Sequence, residues 1–90
     1  MLILQQYTTD SCAVCRAHKP VLAELEREFS GELKVEIINV NSLPQEEALA
    51  ITTVPFYRLL RADGSIAELW CGTKGKEQIV SIIETELEDG

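Results

Sequence analysis

The sequence predicts an α/β protein with a mixed four-stranded sheet, helices on both faces, and the element order β-α-β-α-β-β-α. Three observations support this prediction. Cys12 and Cys15 stand between a strand-like run and a long amphipathic segment. A β-branched apolar run occupies residues 34–40, and Asp63-Gly64 separates two later strand-like runs as a hairpin turn would.

The first half of the chain predicts a parallel strand pair joined by a helix. Residues 2–7 are mostly apolar without clean alternation, which is typical of a strand buried on both faces. Residues 16–29 carry apolar side chains at helical spacing, and this spacing continues beyond Pro20. We therefore expect Pro20 to kink the helix without ending it. A right-handed crossover then brings strand 34–40 alongside the first strand.

The second half predicts a short helix, a hairpin and a final helix. Residues 41–50 begin with cap-competent side chains and contain Pro44 near the first turn, as short helices often do. The hairpin strands are predicted at 56–61 and 66–71, and the amphipathic segment after Gly72 predicts the last helix. The acidic end, residues 86–90, is expected to fray.

Size and charge limit the possible functions. Ninety residues predict one domain spanning 1–90. The formal net charge of −7 argues against binding to nucleic acids or to anionic membranes. No apolar run approaches the ~20 residues of a membrane span, and the start lacks the pattern of a signal peptide. We expect a cytoplasmic protein, with a monomer as the default.

The cysteines provide the first indication of chemistry. Three cysteines do not resemble a structural disulfide framework, so a close pair in the cytosol indicates redox work or metal binding. Cys12 would lie at a helix N-terminus, where unpaired N–H groups and the helix dipole favour a thiolate. Cys15, one turn further on, can reach Cys12 to close a disulfide.

Taken together, these features resemble the thioredoxin family over nearly the whole chain, in a short form without that family's leading strand and helix. The matching motifs share the family's order along the sequence. They are Cys12-Ala13-Val14-Cys15 followed by Arg16, Pro20, Ile38-Asn39-Val40-Asn41, Thr53-Val54-Pro55, Asp63-Gly64 and Gly72.

The resemblance implies a thioredoxin-like fold and a thiol–disulfide oxidoreductase that reduces protein disulfides without metal or organic cofactor. It implies that Cys12 is the nucleophile and Cys15 the resolving thiol. Pro55 matches the family's cis-proline, and Val54 would offer its backbone to an extended substrate. Gly72 would keep the groove wall low. The implied partners are disulfide-containing proteins and an electron donor resembling thioredoxin reductase.

Several residues depart from the family's pattern. Ser11 replaces the usual Trp before the first cysteine, and Ala13-Val14 replaces the usual Gly-Pro. Gln6 aligns with the family's buried carboxylate, and Ile37 aligns with the lysine that accompanies it. The proton acceptor for the resolving thiol is therefore missing or different in this chain.

A glutathione-dependent enzyme is the first alternative. Glutaredoxins share the short architecture and the Thr-Val-Pro, but they usually carry Gly-Gly and an acidic residue after the fourth strand. At the corresponding place in this sequence, residues 70–74 are Trp-Cys-Gly-Thr-Lys, which do not include an acidic residue. Protein disulfides are therefore favoured over glutathione.

A redox-inactive or zinc-binding module is the alternative from another class. Cys12, Cys15, His18 and Cys71 offer the ligand types of a zinc site, but zinc ribbons normally carry two CxxC motifs. His18 is expected at the helix surface and is given no role. Cys71 is expected to be a core or strand residue, with a place near the groove and a role in oxidation as the alternative.

Overall fold

The computed structural model describes residues 1–89. The elements follow the predicted order, and a single 3₁₀ turn (Val40–Ser42) precedes the second helix. They are β1 (Leu2–Thr8), α1 (Ala13–Glu28), β2 (Leu33–Asn39), α2 (Gln45–Ala50), β3 (Phe56–Leu60), β4 (Ile66–Cys71) and α3 (Lys76–Asp89). The α/β class is thereby confirmed.

The four strands form one mixed sheet in the order β2-β1-β3-β4. β1 runs parallel to β2, as expected for a strand–helix–strand unit, and antiparallel to β3. β3 and β4 pair antiparallel through the predicted hairpin. Gly64 takes a φ of +88° in this turn, which glycine adopts without strain. The mixed sheet is confirmed.

The main core lies between one face of the sheet and the two long helices. Register places Leu4 of β1 opposite Val35 of β2 and Leu59 of β3, so these side chains share a face. The helices α1 and α3 contact each other over that face. Their buried residues join the same apolar cluster, namely Leu22 and Leu25 from α1 and Ile79 and Ile83 from α3.

Two helix boundaries differ from the prediction. The apolar spacing indicated residues 16–29, whereas the helix α1 begins at Ala13 and continues through Pro20 to Glu28. The expectation of a frayed end at 86–90 is wrong for 86–89, because α3 extends to Asp89. The guanidinium of Arg61 donates to the Glu86 carboxylate (Nε to Oε1, 2.7 Å) and holds this end against the hairpin. Gly90 lies outside the described residues.

Within residues 1–89, no helix has the length and hydrophobicity needed to span a bilayer.

Truncating a leucine on β3 tests the position of the core. Leu59 is fully buried, whereas Leu69 on the neighbouring β4 is 50% exposed. We expect Leu59→Ala to lower the free energy of unfolding by about 2 to 5 kcal/mol, because it leaves a cavity. The matched change Leu69→Ala should cost much less. Urea denaturation measures both, and equal losses would contradict the core described here.

Candidate active site

The two cysteines of the CxxC motif form a disulfide at the start of α1. Their Cα atoms are 5.3 Å apart. Cys12 is the N-cap residue, with extended backbone angles, and its Sγ accepts a hydrogen bond from the Cys15 N–H at 3.2 Å. The first turn of α1 contains no acidic residue. The first sulfur therefore sits where the helix N-terminus stabilises negative charge.

The two sulfurs differ in their access to solvent. Cys15 is fully buried, whereas Cys12 is partly exposed. Val14 between them is 53% exposed and leaves an apolar side chain at the surface beside the disulfide. An incoming sulfur can therefore reach Cys12, but it cannot reach Cys15 without a rearrangement.

The turn before α1 is held by several polar contacts. The Cys12 N–H donates to the Thr9 carbonyl at 3.2 Å, and Arg16 Nη1 donates to the Asp10 carbonyl at 2.8 Å. The Asp10 carboxylate also accepts from Asn39 Nδ2 at 2.7 Å, which joins the turn to the end of β2. These bonds fix the entry into the helix on which the position of Cys12 depends.

The sheet register brings the other predicted site residues to the same end of the molecule. Tyr7 pairs with Phe56, and Phe56 pairs with Cys71, so the ends of three strands meet there. The Val54–Pro55 peptide bond is cis. The Gly72 N–H donates to the Pro55 carbonyl at 2.9 Å. Cys15 Sγ lies 4.0 Å from the Tyr7 carbonyl oxygen, which places the disulfide at this sheet end as well.

Gly72, which follows β4, has a backbone conformation that favours glycine. Its φ is +75°, which side-chain-bearing residues rarely adopt. A Cβ atom added there would meet no other heavy atom within 4 Å. Backbone conformation, and not crowding within the chain, is therefore what calls for glycine, and the space in front of it is open.

Behind Cys15 lies a chain of buried polar side chains. Gln6 Nε2 donates to the Cys15 carbonyl at 3.2 Å and to the Tyr57 hydroxyl at 2.9 Å. The Tyr57 hydroxyl lies 2.7 Å from His18 Nδ1. The other ring nitrogen, His18 Nε2, lies 3.1 Å from the Lys74 carbonyl. We call Gln6, Tyr57, His18 and the Lys74 carbonyl the buried polar chain.

The hydrogen-bond donors and acceptors of the buried polar chain are consistent with a neutral His18. The Lys74 carbonyl only accepts, so His18 Nε2 carries the hydrogen, and in the neutral ring Nδ1 accepts from the Tyr57 hydroxyl. Burial lowers the pKa of His18, although the bond to Lys74 opposes this change. Burial also raises the pKa of Tyr57, against the smaller effect of the Gln6 bond. Both shifts favour uncharged groups.

The prediction for His18 is wrong. We expected a surface residue without a role, but His18 is only 8% exposed and both ring nitrogens are hydrogen-bonded. Its spacing was the available signal, because His18 follows Cys15 by three positions and precedes Leu22 by four, on the buried side of α1. We expected His18 at the surface because its imidazole is polar.

Two residues at the end of β4, Cys71 and Trp70, also have clear positions. Cys71 ends β4 as an exposed free thiol. Trp70 is buried and stacks on Tyr57 with ring centroids 5.3 Å apart, so it packs in the core. Among residues 1–89, no group of three or more His, Cys, Asp and Glu side chains is arranged to hold a metal ion.

A CxxC disulfide at a helix N-terminus, at the same sheet end as a cis-proline, is typical of proteins that carry out thiol–disulfide exchange. Comparison with known families agrees, because the family model described as Thioredoxin matches residues 1–85. The chain belongs to the thioredoxin family. It is a thiol–disulfide oxidoreductase, and its close Cys12–Cys15 pair is the redox-active motif.

Individual relatives give the same result. The thioredoxin of Bacillus subtilis is 30% identical over 88 residues, covering 96% of this chain and 83% of that protein. The thioredoxin of Listeria monocytogenes is 28% identical over 83 residues, covering 91% and 80%. The thioredoxin of Pseudomonas aeruginosa is 25% identical over 89 residues, covering 94% and 79%.

The lowered pKa of His18 predicts a pH dependence of stability. Below the ordinary value of 6.5, the unfolded chain binds a proton that the folded chain does not. Stability should therefore be complete above that pH and should fall as the pH drops towards the folded pKa. NMR titration of this single imidazole should give a midpoint below 6.5.

Urea denaturation supplies the second measurement. The midpoint of the wild type should decrease between about pH 7 and pH 5.5 more steeply than that of His18→Gln, which has no imidazole to protonate. Carboxylates titrate in both proteins and cancel in the comparison. Parallel curves, or an imidazole midpoint at or above the ordinary value, would contradict the buried neutral ring.

Proposed function

We propose that this protein reduces disulfides of other proteins, with Cys12 as the nucleophile and Cys15 as the resolving thiol. The observation that supports these roles best is the unequal exposure of the two sulfurs at the helix N-terminus. The Cys12 thiolate attacks one sulfur of the substrate disulfide, and the other substrate sulfur leaves as a thiolate. This step forms a mixed disulfide between Cys12 and the substrate.

Cys15 then completes the exchange. Its thiol loses a proton, and its sulfur attacks Cys12 Sγ, which breaks the mixed disulfide and releases the second substrate sulfur. One substrate sulfur takes up the Cys15 proton and the other takes a proton from solvent, so the substrate leaves with two thiols and the protein holds the Cys12–Cys15 disulfide. Burial supports this second role, because the Cys15 sulfur lies close to Cys12 Sγ and is not accessible to a free substrate.

We assign the substrate contacts to Val54, Pro55 and Gly72. The cis Val54–Pro55 bond directly precedes β3 at the sheet end where Cys15 lies, which supports strand-like pairing of the Val54 backbone with a substrate chain. The bond from the Gly72 N–H to the Pro55 carbonyl joins these two segments, and the open space at Gly72 supports the approach of a substrate backbone beside them. The exposed Val14 gives one side of the site an apolar contact for substrate.

We propose that the electrons come from a reductase that resembles thioredoxin reductase, and that the protein acts in the cytoplasm as a monomer. The family supports the donor, because the relatives that match are named thioredoxins. The net charge of the chain is −7, but three basic residues lie near the disulfide in the sequence or the fold. Arg16 and Lys19 are on α1, and Lys74 lies between β4 and α3.

Substitution of single cysteines tests the two roles. Cys12→Ser should abolish the reduction of insulin disulfides by dithiothreitol, because no attacking thiolate remains. Cys15→Ser should accumulate a mixed disulfide between Cys12 and insulin, visible by mass spectrometry. Cys71→Ser is the matched control and should retain nearly the wild-type rate. Activity remaining in Cys12→Ser would refute the assignment.

A comparison of electron donors tests the substrate class. Insulin reduction should be sustained by NADPH with thioredoxin reductase and should be much slower with glutathione and glutathione reductase. The glutaredoxin-like alternative predicts the opposite order. Faster turnover of a small glutathione mixed disulfide than of insulin would remove the preference for protein substrates.

A further inference from the structure

The loop between β4 and α3, residues 72–75, is fixed at both ends. The Gly72 N–H donates to the Pro55 carbonyl at 2.9 Å, and the Gly75 carbonyl accepts hydrogen bonds from the first turn of α3. Glycine at both ends gives the loop more backbone freedom than other residues would. The middle of the loop therefore needs a contact of its own to keep one conformation.

One hydrogen bond from α1 supplies this contact. His18 Nε2 lies 3.1 Å from the Lys74 carbonyl oxygen, and it carries the ring hydrogen because a carbonyl can only accept. Within residues 1–89, no other hydrogen bond involves Thr73 or Lys74. Lys74 Nζ adds a side-chain contact, 5.7 Å from the centroid of the Trp70 ring. The backbone at the centre of the loop therefore depends on His18.

His18 is itself held in place. It is buried, its Nδ1 lies 2.7 Å from the Tyr57 hydroxyl, and the two rings meet edge to face with centroids 5.5 Å apart. It follows Cys15 by three positions, so the helix that carries the disulfide also anchors the loop. The hydrogen bonds of His18 go to Tyr57 and Lys74 and to neither sulfur. A change at His18 should therefore affect the loop and not the exchange at the sulfurs.

We propose that His18 is a positioning residue for substrate binding, which fixes the loop 72–75 relative to the disulfide so that the loop can receive a protein substrate chain. This inference rests on the proposed function, in which Gly72 contacts the substrate. A loop that already holds its bound conformation loses little conformational entropy when the substrate arrives. The bond from His18 to Lys74 therefore strengthens the binding of protein chains.

The same argument distinguishes two classes of substrate. A protein chain that reaches Cys12 extends along the neighbouring backbone, so it gains from an ordered loop. A small disulfide offers no chain to lie along the loop and needs only the partly exposed Cys12 sulfur. His18 therefore favours protein disulfides over small ones.

Two amide substitutions at His18 test the proposal. The amide nitrogen of glutamine reaches as far as Nε2 of histidine, whereas that of asparagine reaches only as far as Nδ1. His18→Gln can therefore still donate to the Lys74 carbonyl, and His18→Asn cannot. We expect the KM for insulin disulfides to rise about three- to tenfold in His18→Asn, the scale of one lost hydrogen bond, with kcat nearly unchanged. His18→Gln should retain a KM close to that of the wild type.

A small substrate gives the contrasting measurement. In His18→Asn, kcat/KM for bis(hydroxyethyl) disulfide should fall far less than kcat/KM for insulin. Equal losses for the two substrates, an unchanged KM for insulin, or equal KM values in His18→Asn and His18→Gln would each overturn the proposal.

Tyr57→Phe is the matched control. It removes the hydrogen bond at the other ring nitrogen, Nδ1, and leaves Nε2 able to donate to Lys74. It should lower the free energy of unfolding while the KM for insulin stays near the wild-type value. A rise in KM equal to that of His18→Asn would assign the effect to packing and contradict the role of the loop contact. If His18→Asn does not fold, His18→Met, which has no donor, provides the same comparison.

The order of the loop can be measured without a substrate. NMR relaxation of the backbone amides should give lower order parameters for Thr73 and Lys74 in His18→Asn than in the wild type or His18→Gln. Unchanged order parameters in an active His18→Asn would refute this inference alone. Failure of the wild type to reduce insulin would refute the proposed function, and with it the substrate role of the loop.

Discussion

The structure depends on the placement of Cys12 as the N-cap of α1. An N-cap residue has non-helical, usually extended backbone angles, and its side chain accepts a hydrogen bond from the first helical turn, a role usually taken by oxygen side chains. Here the Cys12 sulfur accepts that bond from the Cys15 N–H. The same contact brings the second cysteine one turn away, close enough for a disulfide. Capping, charge stabilisation and disulfide closure therefore follow from one local geometry.

This geometry is maintained by the sheet and by the apolar core beneath the helix. Leu22 and Leu25 anchor α1 over the leucines of β1 and β3, which fixes the helix relative to the strand that leads into Cys12. The sheet then brings the cis-proline segment and Gly72 to the same end through the pairing of β1, β3 and β4. Residues far apart in sequence thus reach the disulfide through strand register.

The order of elements could be predicted from the sequence because apolar periodicity and turn residues are local signals. The position of Cys12 at the N-terminus of α1 could also be predicted, although the periodic apolar segment alone indicated residues 16–29 and a cysteine cap replaces the usual Ser, Thr, Asp or Asn signal. The buried polar chain was missed. His18 meets Tyr57 and Lys74, which are 39 and 56 positions away, and no local pattern encodes such contacts. The periodicity of α1 indicated burial of His18, but its chemistry indicated the surface.

The unequal burial of the two cysteines has a consequence for the direction of exchange. Thiol–disulfide exchange is reversible, and the sequence of attacks is set by which sulfur is accessible as well as by thiolate content. Cys15 is buried and Cys12 is partly exposed, so in the proposed mechanism a substrate sulfur bonds to Cys12 first. Cys15 then acts at very high effective concentration on the Cys12 sulfur. In the proposed mechanism the fold therefore orders the two steps, so selectivity between Cys12 and Cys15 does not require a large difference in their intrinsic reactivity.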